Sequence, residues 1–197
     1  MDAPLSAGAK TVYLIEEPLA AAIGAKIPIA AASGNMIVDI GGGATEAAVI
    51  SLGGVVVHNS VRVGGNKLDE AIQQQVKKRY NLIIGDNQAE EVKIQIASAT
   101  PVKNANNKTM QVRGRDAITG LPRSIELSTA ETTEMIEPVL QKIMAAVKSV
   151  LEQTPPELAS DIIDKGIVLS GGTALLANID KLMTEVTGVP CHVADNP

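Results

Sequence analysis

The sequence predicts an α/β fold, a mixed sheet flanked by helices and interrupted by an inserted α+β subdomain. Three observations carry this reading. Apolar segments joined by glycine-rich turns fill residues 35–63, strong 3.6-residue periods occupy 66–80 and 129–151, and the C-terminal part returns to strand, turn, helix and strand. The implied division is a core subdomain of residues 1–65 and 166–197, with 66–165 as the inserted helical and strand subdomain.

Taken in order, Val12 to Ile15 reads as a short buried strand, and Glu16-Glu17-Pro18 opens an Ala-rich helix to about Ala25, with Pro18 tolerated in its first turn. Asn35 to Ile40 is an apolar strand running into three glycines. Ala44 to Leu52 is the second strand, Gly53-Gly54 a tight turn and Val55 to Val63 the third, which makes an antiparallel meander. Beyond Gly64-Gly65, the four-residue spacing of Leu68, Ile72, Val76 and Tyr80 predicts an amphipathic helix. A second helix is expected near Asn87, whose distance to Glu90 matches a capping box, with Val92 and Ile96 facing inward. Pro101 to Asn107 is polar and turn-rich. Thr109 to Arg115 and Arg123 to Leu127 read as paired strands joined by the loop DAITGLP. Ser128 and Glu131 form a capping box for a long helix in which Met135, Ile136, Val139, Leu140, Ile143, Val147 and Leu151 keep a 3.6-residue period and which Pro138 should kink. Pro155-Pro156 ends this helix and starts a shorter one. Ile167 to Leu169 is a strand, Ser170-Gly171-Gly172 a turn, Leu175 to Val186 a helix and Val189 to Val193 the last strand.

Composition removes several functions. The net charge is -5 and basic residues are scattered, so there is no electrostatic footprint for nucleic acid. With Tyr13 and Tyr80 as the only aromatics, base-stacking platforms are also missing. The single cysteine, Cys191, excludes an internal disulfide and fits a reducing, cytoplasmic compartment. The longest apolar stretch, Leu19 to Ala32, is broken by Gly24, Lys26 and Pro28 and falls short of the ~20 residues a span requires. The N-terminal MDAPLSAGAK has no signal-peptide pattern and is expected to be a chain opened inside a larger protein. His58 and His192 have no second ligand at metal-binding spacing and are read as structural.

The informative segment is Val38-Asp39-Ile40-Gly41-Gly42-Gly43-Ala44-Thr45-Glu46. A dinucleotide fingerprint or Walker loop leads from strand into helix, whereas β-type residues follow these glycines and no Lys-Ser/Thr pair is present. Consecutive glycines let a row of backbone N–H groups face one point, and no side chain keeps phosphate oxygens away. Asp39, just before the turn, stands where it could hold a water bound to Mg²⁺, a hard ion that keeps most of its hydration shell. A merely structural hairpin is the competing reading.

Three further segments share the pattern: Glu16-Glu17-Pro18-Leu19-Ala20-Ala21-Ala22-Ile23-Gly24, Gly64-Gly65-Asn66-Lys67-Leu68-Asp69, and Ser170-Gly171-Gly172-Thr173-Ala174-Leu175-Leu176. In this order they resemble the actin, Hsp70 and sugar-kinase superfamily. The words EEPLAAAIGA, VDIGGGATEAAVISLGG, VRVGG, VRGRD, LEQTPPELASDI and SGGTALL are similar to MreB-type bacterial actins over nearly the whole chain.

That resemblance implies an actin-like ATPase lobe of ribonuclease H-like fold, binding ATP with Mg²⁺. Gly41, Gly42, Gly43, Ala44 and Thr45 would form a phosphate loop with Asp39 near the metal through water, and Glu17 would orient the attacking water in phosphoryl transfer. An acidic first turn stabilised by the helix dipole explains Glu17 equally well. Gly64 and Gly65 would border the ribose, Gly171, Gly172 and Thr173 would wall the adenosine, and Glu90 and Lys93 would line its edge. Glu and Lys three residues apart are also ordinary surface partners on a helix. Ala44, Asn66, Ala97 and Thr173 depart from the family's usual Thr, Asp or Glu, Gly or Ser, and Gly.

The resemblance further implies a C-terminal lobe alone. The parent would be a cytoskeletal protein of rod-shaped bacteria that self-associates into filaments and guides the cell-wall synthesis machinery. The lobe itself would make no direct membrane contact, and the isolated chain would bind ATP weakly or not at all and lack ATPase turnover for want of the opposing lobe. The competing readings are a lobe of a small-molecule (sugar) kinase, an Hsp70-type chaperone lobe and a structural module with no ligand.

Overall fold

A computed structural model describes residues 2–102 and 107–197; the polar stretch expected from Pro101 to Asn107 falls mostly outside them. Its frame is a five-stranded mixed sheet in the order β3-β2-β1-β7-β8: β1 Asn35–Ile40, β2 Thr45–Ser51, β3 Gly54–Val61, β7 Ile167–Ser170 and β8 Cys191–Val193. The first three form the expected antiparallel meander, with Ile40 opposite Thr45 and Asp39 opposite Glu46. β7 then docks parallel to β1 and sets Ser170 beside Asp39, although more than a hundred residues separate them in the chain.

Alternation along β1 decides which face each side chain serves. Met36, Val38 and Ile40 enter the main core, while Ile37 joins Ala22, Ala48 and Ile50 on the opposite face. That opposite face is covered by α2 (Glu17–Gly24), so period-two counting puts Asp39 on the α2 side. The main-core face packs against α3 (Gly65–Tyr80) and α5 (Thr129–Gln153), the longest helix. The α5 N-terminus is closed by the predicted capping box: Ser128 Oγ accepts from the Glu131 N–H, and Glu131 accepts from the Ser128 N–H at 2.9 Å. The helix runs through Pro138 without a break. It touches β2 and β3 as well as α3 and α4 (Asp86–Ile96), so it links the main sheet to the segment that carries the second sheet. That second sheet has the order β4-β5-β6, from Leu82–Ile83, Thr109–Asp116 and Pro122–Ser128. α6 (Pro156–Lys165) begins at the proline pair and lies against β1.

Several expectations are corrected. Val12–Ile15 forms no strand; Tyr13, Leu14 and Ile15 are 89%, 76% and 58% exposed, because no neighbouring strand among the described residues offers a ladder. A short helix, α1 (Asp2–Ser6), and the two-residue β4 were not foreseen. The β2–β3 turn is Leu52-Gly53, not Gly53-Gly54: Ser51 pairs with Gly54, and φ of +51° and +73° gives the positive-φ pair that matches strand twist. Asn87 caps nothing, since α4 starts at Asp86 with Gly85 as its N-cap. The helix expected from Leu175 to Val186 is split into a 3₁₀ turn, Gly172–Leu175, and α7, Ile179–Thr187. Between them the backbone of Ala177 pairs with Ser98 and accepts the Ala99 N–H at 2.8 Å, and Asn178 turns left-handed at φ +61°. A carbonyl recruited by another segment cannot continue a helix.

Candidate functional site

The turn between β1 and β2, Gly41 to Ala44, is closed by the Gly41 N–H donating to the Ala44 carbonyl at 2.9 Å. Gly42 and Gly43 are exposed, and among the described residues neither donates its N–H to a protein acceptor. Two distant segments are fastened to this turn. The first amides of α3 reach it, Gly65 N–H to the Gly41 carbonyl at 3.0 Å and Asn66 N–H to the Gly42 carbonyl at 2.8 Å. From the other end of the chain, the Thr173 hydroxyl donates to the same Gly41 carbonyl at 2.9 Å. Such approach needs missing side chains: a Cβ on Gly64 would lie 2.4 Å from the Gly41 carbonyl oxygen. One on Gly171, at φ +84°, would lie 2.4 Å from both Asp39 Oδ1 and the Ile40 carbonyl oxygen.

Where these segments meet lies a cavity of about 320 Å³, and six of the expected residues line it: Gly42, Gly65, Glu90, Lys93, Gly172 and Thr173. Asn66, Ile94, Leu175 and Leu176 complete the wall and were missed as ligand-facing positions. Ile94 and Leu175 are 73% and 70% exposed, which supplies an apolar rim. Ile94 did carry a signal, as a large apolar residue between Lys93 and Gln95, off the Ala89, Val92, Ile96 face that α4 buries.

The remaining expected residues stand elsewhere around the hairpin. Gly41, Gly43 and Ala44 belong to the turn without lining the cavity, and Gly64 is buried behind it. Thr45 is fully buried and donates its hydroxyl to the Val63 carbonyl at 2.7 Å, so it braces the hairpin rather than facing a ligand. Asp39 is half-buried on the opposite sheet face; burial pushes its carboxyl above the usual range, and the carboxylates of Glu17 and Glu46 push it further. Glu17 lines a separate recess of about 210 Å³ with Glu16, Pro18, Glu46, Val55 and His58. Among the described residues no group of three His, Cys, Asp or Glu side chains is arranged to hold a metal directly. The carboxyl groups near Asp39 fit a cation bridged by water, since a positive charge there would relieve their mutual repulsion.

A larger hollow, about 580 Å³, lies between α5 and α7 against Leu140, Met144, Leu182 and Val186, and contains none of the expected residues. Cys191 is half-buried, its thiol is pushed up by burial, and its sulfur donates to the Val189 carbonyl, so it behaves as a small core residue. No described helix is long and apolar enough to cross a membrane.

Comparison with known proteins agrees with this arrangement. The cell shape-determining protein MreB of Escherichia coli K12 is 51% identical over 191 residues, covering 97% of this chain and 54% of that protein. The chain thus spans about half the length of the curated relatives it matches. The crystal structure of MreB5 of Spiroplasma citri bound to ADP superposes with a TM-score of 0.94 at 39% identity, over 99% of this chain and 59% of that one. The same protein bound to AMPPNP gives 0.91 at 40% identity, over 96% and 56%. The MamK double helical filament, at 21% identity and a TM-score of 0.67 over 92% of this chain and 55% of that one, shares the fold. These likenesses make the architecture that of the actin-like ATPases. The profile of the MreB/Mbl protein family matches residues 1–197, and the chain belongs to that family.

Proposed function

We propose that this chain is the nucleotide-clamping lobe of an MreB-type, shape-determining filament protein. It would act in the cytoplasm, bind ATP with Mg²⁺ in the cleft beside the glycine hairpin, and self-associate within the longer protein. The observation that carries the reading is the convergence of three glycine-rich segments on one point, with Thr173 bonded to Gly41 across 132 residues. A hairpin with two uncommitted amides, a polar cavity floor and an apolar rim has the parts a nucleotide requires.

In this reading the base lies against Ile94 and Leu175, and Glu90 and Lys93 meet the ribose and the base edge. Gly42 and Gly43 offer their N–H groups to the phosphates. The carboxylate recess on the far side of the hairpin receives the terminal phosphate end. Asp39 would hold Mg²⁺ through water, and bound Mg²⁺ would supply charge neutralisation for phosphoryl transfer. Glu17 would accept a hydrogen bond from the attacking water. Thr173, a departure from the family's glycine, keeps the loops together through its hydroxyl, and Asn66 lies over Gly42, 3.1 Å from where a Cβ would sit. The division into a core of 1–65 and 166–197 and an insert of 66–165 belongs to the same proposal, with α5 packed against both the main sheet and the helices of the insert.

Hydrolysis needs donors fixed around the developing charge and water kept out. The Gly42 and Gly43 amides supply donors on one side only, and because both residues are exposed water is not kept out, so the 197-residue chain should bind nucleotide without sustained turnover. Thermal shift with ATP and Mg²⁺ tests binding: at a hundred times the dissociation constant a ligand adds about 2.7 kcal/mol to the folded state. No shift at millimolar ATP would remove the reading. Steady-state phosphate release tests the second half, and turnover matching that of a complete actin homologue would contradict it. Partnership with cell-wall synthesis machinery is proposed for the longer protein and is tested by co-purification with it.

A further inference from the structure

α3 and α4 are joined beneath the cavity by one ion pair, Lys93 Nζ to Asp69 Oδ2 at 2.8 Å, with side chains only 14% and 16% exposed. Lys93 also points toward the Gly65 carbonyl at 3.4 Å. An ammonium has three N–H groups, so one remains for the cavity that Lys93 lines. The carboxylate is less well served. Among the described residues Asp69 Oδ1 is the one buried side-chain oxygen with no hydrogen-bond partner. Burial pushes the Asp69 carboxyl up, against the lowering effect of Lys93. A pair built for stability alone would satisfy both oxygens or be replaced by apolar packing, because a half-satisfied buried carboxylate is costly. What the arrangement does achieve is to fix a flexible side chain: a lysine has four rotatable bonds, and the carboxylate below selects one position for its tip.

We propose that Asp69 is a positioning residue, holding the Lys93 ammonium in the cavity floor so that its remaining N–H meets an acceptor on the ribose or base of a bound nucleotide. Asp69 itself touches no ligand. The inference rests on the nucleotide reading above and adds to it a residue that acts through another. It also specifies which part of the ligand feels the loss. The contact lies on the nucleoside side, so adenosine and ADP should weaken equally, while pyrophosphate, gripped at the hairpin, should be indifferent.

The test is a double-mutant cycle by isothermal titration on this chain, using ADP, adenosine and pyrophosphate with the wild type, Asp69→Asn, Lys93→Met and the double variant. Asp69→Asn should weaken ADP and adenosine alike by about tenfold, the scale of one charge-assisted hydrogen bond. It should cost nothing further in the Lys93→Met background, and Asp69→Glu should recover part of the loss. A readout independent of nucleotide is acylation of Lys93 by an amine-reactive ester, followed by mass spectrometry. Asp69→Asn should speed it several-fold, and ADP should protect the wild type. Unchanged affinity and unchanged Lys93 reactivity in Asp69→Asn would overturn the inference while leaving the nucleotide reading intact. So would effects that add in the double variant and follow a fall in melting temperature, which mark a clamp between helices only. A wild-type chain that binds neither ADP nor adenosine, with no protection of Lys93, overturns both.

Discussion

Replacing Gly171 with alanine should damage the fold, whereas the same change one residue later should damage only the cleft. Gly171 sits at φ +84° and ψ +153°, a region open essentially to glycine alone, where another residue costs roughly 1–3 kcal/mol. The added methyl would stand 2.4 Å from the Ile40 carbonyl oxygen and from Asp39 Oδ1. Ile40 is held in register against Thr45, and Asp39 against Ser170, so relief requires shifting β1 against β7, with an overpacking cost of roughly 1–3 kcal/mol. Together the two effects come to about 4 kcal/mol, which for a chain of this size lowers the melting temperature by about 8–16 °C. At Gly172 a Cβ meets nothing within 4 Å, so Gly172→Ala should change stability by no more than about 0.5 kcal/mol. It lines the cavity and should weaken nucleotide binding instead. Urea unfolding followed by circular dichroism separates the two, with the midpoint falling for Gly171→Ala at unchanged slope. Equal midpoints for the two variants would refute the claim that β1, β7 and the turn after β7 meet at backbone contact distance.

Asp39→Asn should raise the melting temperature of the nucleotide-free chain at pH 7 and leave it unchanged near pH 3. With its pKa raised in the folded state, this carboxyl withdraws stability as pH rises from the unfolded value through the folded one, and the asparagine withdraws none. The Asp116 carboxyl, held by the N–H groups of Thr119 and Ile118 and by Arg123, should titrate at about 2 by carbon-detected NMR. Its sign is opposite: the hairpin gains stability above the ordinary carboxylate value of 3.8 and loses it as pH falls toward 2, and Arg123→Met should move the titration upward. Ile136→Ala, at a fully buried position of α5, should cost about 2–5 kcal/mol in urea unfolding, and Leu175→Ala, 70% exposed at the cavity rim, little stability but measurable affinity for adenosine.

Much of this fold was legible in the chain because its signals are local. Asn35 to Ile40, three glycines and a β-branched run can hardly form anything but a hairpin, and Ser128 with Glu131 caps a helix through atoms three residues apart. Errors came where a neighbour decides. Tyr13-Leu14-Ile15 has strand composition, yet a strand exists only with a partner. Leu175 to Val186 has helical periodicity, yet Ser98 and Ala99 claim the backbone at Ala177. In the site, the glycines announced themselves, because close backbone approach can be met by only one residue type. Asn66 and Asp69 did not, nor did the bond that Thr173 makes, since these roles are bonds to Gly42, Lys93 and Gly41 that sequence distance conceals.

The amino-acid order alone pointed to the family, the hairpin and the three glycines that line the cavity, Gly42, Gly65 and Gly172. Tertiary structure decided that β7 pairs with β1, and that Asp39 and Glu17 stand on one side of the hairpin while Glu90 and Lys93 stand on the other. It also decided that one carboxylate beneath the cavity is left with an unfilled oxygen. The physical reason is reach: turns and caps are made by atoms a few residues apart, whereas a cleft exists only after strands far apart in sequence have paired and brought their ends together.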